Sequence, residues 1–307
     1  MKNTFRKLIP VAAAFGFAFA ASSSAQAFTL KDGTNVLATD ATTLDWNASG
    51  SGVAKGVGPF GNLILPGQQF QFLYQSNLAS IDGNTTGLFD NGLDFNANGS
   101  KGAGKAFEFT IVAKLNEKVT SLSGNTATFG LNGPASDNKV AIYYDTNANA
   151  STTAGTGFDD GTLIALLTIV PDNTQSTFSV FSLPTPATPG HPATTGDGQG
   201  STKLSARLVE PGDFVNSNFI QLAAGQMFGI NFESNLNYPA GNSSTNKFQI
   251  GGSSLFPNYT TAANGTDIVF KVDGSNTFAV PEPGTMMLLG MGMLGLVGAK
   301  RRRAPKA

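Results

Sequence analysis

Between residues 28 and 280 several short runs place apolar residues at every second position, broken by turns, and that period constrains the fold more than any other feature of the chain. In Phe107-Glu108-Phe109-Thr110-Ile111-Val112-Ala113-Lys114-Leu115 the odd positions are apolar and the even ones largely polar. This is the pattern of a strand with one face in a core. Phe70 to Tyr74, Val140 to Tyr144, Phe228 to Phe232 and Ile268 to Val272 alternate in the same way, whereas Leu163 to Val170 is continuously apolar and predicts a strand buried on both faces. Asn91-Gly92, Asn98-Gly99, Asn132-Gly133, Asn264-Gly265, Asp82-Gly83, Asp160-Gly161 and Asp273-Gly274 lie between such runs; Asx-Gly pairs tolerate positive φ and favour tight hairpins. No stretch of more than two turns keeps a 3.6-residue period. The expectation is a mainly β body, an antiparallel β-sandwich or jelly roll. No fixed-period repeat points to a solenoid or propeller.

One segment departs from this pattern. Leu183 to Pro192, with Pro184, Pro186, Pro189 and Pro192, leads into Gly196-Asp197-Gly198-Gln199-Gly200. Proline cannot donate to a ladder, so residues 184–202 are expected to form an exposed loop. It either divides two β modules, 28–183 and 203–280, or is inserted in one sandwich. The second module would be small on its own, which favours one body.

Both ends read as addresses. Lys2, Arg6 and Lys7 precede the apolar stretch Leu8 to Ala20, and Ser22 to Gln26 is small and polar. Ala25 and Ala27 then supply the small residues at −3 and −1 that signal peptidase requires. The expectation is a signal helix in residues 1–27, cleaved after Ala27, and export of the rest. At the other end Val280-Pro281-Glu282-Pro283-Gly284-Thr285 precedes the apolar run Met286 to Ala299 and the basic cluster Lys300, Arg301, Arg302 and Arg303. The prolines hold the segment extended, in a form that a processing enzyme can bind as a strand. Fourteen helical residues span ~21 Å, short of the ~30 Å hydrocarbon core, so a helix here is marginal as a permanent anchor. The cluster would stay cytoplasmic, leaving residues 28–280 outside, with 304–307 as the tail end.

These three parts, in this order, resemble the PEP-CTERM sorting signal of Gram-negative bacteria, over residues 281–303 with Val280 opening the motif. The resemblance implies recognition and cleavage by an exosortase, a membrane-embedded transpeptidase-like enzyme, and loss of the helix and basic tail. It also implies a setting of exopolysaccharide production, in biofilms and flocs. The same tail is similar to a region labelled an ice-binding protein C-terminal domain, a likeness that implies no ice binding. In the body, Phe28-Thr29-Leu30, Tyr144-Asp145-Thr146 and Gly157 to Thr162 are similar to flocculation-associated PEP-CTERM proteins, which implies a role in cell aggregation and no activity.

Composition narrows the chemistry further. With no Cys and one His among 307 residues, thiolate nucleophiles, zinc ribbons, iron–sulfur clusters and His-pair metal sites are excluded. That histidine, His191, sits in the Pro-rich loop, where no rigid shell would hold a general base; no catalytic residue is expected. Calcium is the chemical possibility. Asp94-Phe95-Asn96-Ala97-Asn98-Gly99 matches the start of a D-x-[DN]-x-[DN]-G loop, but its twelfth position is Lys105 where a bidentate Glu is needed. Asp145, Asn147 and Asn149 repeat the oxygen spacing without the Gly, and Asp159-Asp160 follows. These residues are also ordinary turn formers, and no metal is assigned.

Asp159 and Asp160 are adjacent and cannot flank a glycosidic bond from opposite sides as paired carboxylates must; Glu108 and Glu117 lie on or near a strand with nothing to single them out. Trp46, Tyr74, Tyr143, Tyr144, Tyr238 and Tyr259 would either stack on sugars or fill a core.

The formal net charge of −1 hides an asymmetry. The two ends hold eight of the 19 basic residues and, in Glu282, one of the 20 acidic ones, so residues 28–280 carry 11 against 19, a net −8. An acidic body repels nucleic acid and meets an anionic matrix through cations. The expected partners are signal peptidase, exosortase and extracellular polysaccharide, with the membrane touched only through the C-terminal helix before processing. The expected function is a non-enzymatic, exported surface or matrix protein that supports biofilm or floc formation. The alternatives are a secreted polysaccharide-active enzyme and a calcium-dependent glycan-binding module.

Overall fold

The computed structural model describes residues 27–57, 65–86, 107–182, 197–222, 229–238, 249–250, 259–260 and 267–278. Within them lie β1 (Phe28–Lys31), β2 (Val36–Trp46), β3 (Gly50–Lys55), β4 (Gln69–Thr85), β5 (Glu108–Ser123), β6 (Thr126–Leu131), β7 (Lys139–Asp145) and β8 (Thr162–Ser182). They are followed by β9 (Asp197–Arg207), β10 (Phe214–Val215), β11 (Ile220–Leu222), β12 (Gly229–Tyr238), β13 (Gln249–Ile250), β14 (Tyr259–Thr260) and β15 (Ile268–Phe278). The helical content of the described residues is one 3₁₀ turn, Ala135–Asp137.

All described pairings are antiparallel. β2 and β3 run end to end along β4, from Ala38 opposite Thr85 to Lys55 opposite Gln71, and act as one long strand interrupted at 47–49. β6 and β7 likewise share one position along β5, interrupted at 132–138. With these mergers the main strands follow one another in sequence: β2/β3, β4, β5, β6/β7, β8, β9, β12, β15. β15 then pairs with β2 and β3 and returns the sheet to its start. An even number of positions lets antiparallel pairing close with no mismatched seam, and a ring of about eight strands has an interior that side chains can fill. The mainly β, antiparallel expectation holds. Where a sandwich or jelly roll was expected, the layers are one continuous sheet closed on itself in sequence order.

The period of two explains which side chains fill the ring. On β5, Phe109, Ile111, Ala113, Leu115 and Val119 point inward to meet Phe72, Tyr74 and Leu78 of β4, Val140 and Ile142 of β7, and Phe270 and Val272 of β15. A smaller cluster lies on the outer face: Val53, Leu73, Val112, Ala141, Tyr143 and Leu166, covered by Ala150 and Phe158 of the segment 146–161. Both faces of β8 are buried from Ile164 to Ile169: the outer cover takes Leu166, while Thr168, the polar residue in this run, is bonded to Lys139 and Asp213. Burying the Phe158 ring contributes about 2 kcal/mol.

The loop expected over 184–202 needs a correction, because residues 197–202 are the first half of β9, paired with both β8 and β12. Their glycines serve close packing. A Cβ on Gly198 would lie 2.6 Å from Phe178 Cε1, and one on Gly200 would meet the Thr177 carbonyl. Phe178 of β8 lies across these positions, and only glycine leaves it room. Residues 183–196 lie outside the described residues; the strands on both sides of them belong to the same ring.

Candidate functional site

The last described strand of the barrel, β15, reaches Phe278, directly before the C-terminal signal in sequence. β15 stays paired with β12 as far as the Ile230–Phe278 pair, and the Phe278 ring is buried, its centroid 4.1 Å from that of Phe28 at the start of β1. Ala27, expected at the signal-peptidase cut, is exposed one residue before the buried Phe28. Ala25 and the sorting residues Val280, Pro281, Glu282, Pro283, Thr285, Lys300, Arg301, Arg302 and Arg303 lie outside the described residues, as do His191 and the Asp94–Gly99 oxygen set with Lys105. Among the described residues no helix is long and apolar enough to cross a membrane.

On the outer wall of β9, β12, β15 and β2 there is a groove of about 420 Å³. Its side chains are polar and include Asp45, Lys203, Glu233, Asn235, Asp273 and Ser275. Lys203 Nζ donates to Glu233 Oε1 at 2.9 Å, but both side chains are mostly exposed, so the pair contributes little to stability. The groove offers closely spaced acceptors with an acidic excess.

Among the described residues, the tryptophan and tyrosines that could stack on a sugar are engaged in packing. Trp46, Tyr74 and Tyr143 are buried, and Tyr144 packs against Phe107, Phe109 and Phe219. Trp46 Nε1 donates to Asn276 Oδ1 at 2.6 Å inside the ring. The side chains of Tyr238 and Tyr259 are outside the described residues.

Two buried carboxylates stand out that the sequence did not single out. They sit nine residues apart on β5, and an odd separation on a strand sets them on opposite faces. Glu117 points into the ring, where Ser176 Oγ donates to its Oε1 at 2.6 Å. Burial pushes its carboxyl up to about 7, against the smaller opposing effect of that hydrogen bond. Glu108 points outward beneath the segment 146–161, and its Oε1 accepts from the backbone N–H of Asn149 at 2.8 Å and of Ala150 at 2.9 Å. Its Oε2 is buried without a hydrogen-bond partner. Burial again dominates and pushes this carboxyl up to about 7; the two amides oppose the shift, and Asp145 and Asp160 add to it. Glu108 thus holds the cover segment in place, helped by Thr110 Oγ1, which donates to the Phe158 carbonyl at 2.7 Å.

The second oxygen set expected for calcium lies in and beside this same segment, and two of its carboxylates accept local hydrogen bonds. Asp145 Oδ1 accepts from Asn147 N–H at 2.8 Å, and Asn149 Nδ2 donates to Asp160 Oδ2 at 3.0 Å. Among the described residues no group of three or more His, Asp or Glu is placed to hold a metal ion.

A further buried charge is structural. Asp213 accepts from Lys139 Nζ at 2.6 Å, from Thr168 Oγ1 at 2.7 Å and from the amides of Glu210 and Val209. Burial would raise its carboxyl, but these donors together hold it below the usual carboxylate range. It ties the segment after β9 to β7 and β8.

Comparison with known proteins finds a match at the C-terminal end of the chain. Residues 279–303 match the family model of the PEP-CTERM protein-sorting motif. No match to a curated protein or to a solved structure accompanies it. The chain therefore carries a PEP-CTERM sorting signal directly behind a closed β body, which makes it an exported, transiently membrane-anchored substrate of an exosortase.

Proposed function

We propose that this is a non-enzymatic protein of the cell surface or extracellular matrix in an exopolysaccharide-producing bacterium, where it supports biofilm or floc formation. Signal peptidase removes residues 1–27, the apolar run holds the precursor in the inner membrane, and exosortase releases the body to the outside. The observation that carries this reading is the sorting motif at residues 279–303, which follows the last residue of β15, Phe278, in sequence. The acidic body and its polar outer groove support a partner rich in hydroxyl groups, engaged by many weak hydrogen bonds, with polysaccharide as the chemistry that fits. Glu108 and Glu117, on opposite faces of β5, cannot act together across one glycosidic bond, which weighs against the enzymatic alternative at that pair. Deleting the gene and assaying aggregation beside polysaccharide chain length tests the proposal. It predicts weakened flocs with unchanged chain length; normal flocs with altered chain length would overturn it in favour of an enzyme.

A further inference from the structure

Phe278 is the last paired residue of β15 among the described residues and stands immediately before the sorting motif in sequence. On one side its strand is held by β12 through Ser275 opposite Glu233, Asn276 opposite Phe232, Thr277 opposite Asn231 and Phe278 opposite Ile230. On the other it is held by β2 through Ser275 opposite Asp45, Asn276 opposite Leu44 and Thr277 opposite Thr43. Side chains lock the same stretch, with the Trp46–Asn276 hydrogen bond in the interior and the Phe278 ring against Phe28. Phe28 is fixed in turn by pairing with Ala41 of β2 and Leu222 of β11.

This leaves the motif almost no slack. Three residues from Phe278 to Pro281 reach at most ~11 Å, and eight from Phe278 to Met286, where the apolar run starts, reach at most ~29 Å. The headgroup layer between water and hydrocarbon takes up roughly 5–8 Å of that distance. A membrane-embedded enzyme that binds the motif as a strand needs backbone on both sides of Pro281 and Pro283. On the N-terminal side only Ala279 and Val280 separate the motif from a strand hydrogen-bonded on both edges.

We propose that this rim controls processing: the exosortase engages the motif only when residues 275–278 peel away from β12 and β2. The stability of the end of β15 then sets the rate at which the exported precursor is cut. Docking of β1, which brings Phe28 onto Phe278, closes the rim. The inference rests on the sorting reading of residues 279–303.

The test is a pulse–chase of the full chain in the producing bacterium, following precursor and processed forms. A flexible Gly/Ser spacer of about ten residues, placed between Phe278 and Ala279, frees the motif from the rim. Processing is expected to become several-fold faster. Trp46→Phe, which removes the donor to Asn276, is expected to speed processing of the native-length chain and to add nothing in the spacer chain. Equal rates with and without the spacer overturn the proposal, and this comparison decides alone if Trp46→Phe does not fold. A Pro281→Ala, Pro283→Ala chain separates the two levels. Processing that continues there overturns the sorting reading itself, whereas processing that stops there but ignores the spacer overturns only the rim.

Discussion

Replacing Glu117 by Gln is expected to remove about half of a stability loss that the native protein suffers as pH rises. In the folded barrel Glu117 is enclosed, with Ser176 Oγ donating to Oε1, and its carboxyl is pushed from 4.5 up to about 7. In the unfolded chain it titrates near its ordinary value. Its folded value is therefore the higher one. The contribution is fully present below pH 4.5 and is lost as pH rises to about 7, because the unfolded chain gives up its proton first. At 1.36 kcal/mol per unit the loss is about 3 kcal/mol, and Glu108, raised to a similar value, adds a loss of the same order. Glutamine does not ionise, and its amide oxygen still accepts from Ser176. Glu117→Gln is therefore expected to be more stable than the native protein above pH 7 by up to about 3 kcal/mol. Near pH 4.5 its level depends on whether the new NH₂ finds an acceptor, a term of about 1–3 kcal/mol, so the slope is the diagnostic quantity. Urea unfolding of the exported protein across this range supplies it. Native and variant proteins with the same pH slope, or a native protein that gains stability from pH 4.5 to pH 7, would refute the reasoning.

Further outcomes follow from packing and charge. Gly200→Ala drives a Cβ into the Thr177 carbonyl and the Phe178 ring, and is expected to cost about 1–3 kcal/mol, read as a lowered Tm; an unchanged Tm would contradict the placement of residues 197–202 in β9. Asp213→Asn leaves Lys139 without its anionic partner in a half-buried setting and is expected to cost about 3 kcal/mol. Because the carboxyl of Asp213 is held low in the fold, its contribution is present above its unfolded value of 3.8 and fades as pH falls, so native and variant Tm values should converge in acid. Phe158→Ala is expected to cost about 3 kcal/mol and to expose the segment 146–161 to proteases while the barrel strands stay protected, as limited proteolysis would reveal.

The strands were legible wherever one face is buried and the other wet, because alternation records the pleat directly. Glu108 to Leu115, Val140 to Tyr144 and Ile268 to Val272 all fall within strands of the ring, and Phe107 stands one residue before β5. Glycine was the misleading signal. Asn132-Gly133 is a turn, with Gly133 at φ 76°, but Asp82-Gly83 and Asp273-Gly274 lie inside β4 and β15. A Cβ on Gly83 would lie 2.6 Å from Ala41 Cα, and one on Gly274 2.5 Å from Phe232 Cζ. The same dipeptide thus serves a turn or a close approach, and only the partner strand distinguishes them. Ring closure was hidden for a related reason: the register of β15 on β2 joins residues far apart in sequence, with no local mark of the match. Trp46 and the tyrosines gave no sign of which face they occupy. The opposite faces of Glu108 and Glu117 were readable from their odd spacing once β5 was known to be unbroken. The sorting signal was legible in full because an extended Pro-flanked motif, an apolar run and a basic cluster act as sequence rather than as folded surface.

The central claim is that the folded body leaves the cell cut from both of its addresses. The intact mass of the protein recovered from the cell exterior tests it most directly. The account predicts a chain that begins at Phe28 and ends within the motif, without the apolar run and without Lys300, Arg301, Arg302 and Arg303. A recovered mass that still includes that basic cluster would contradict it.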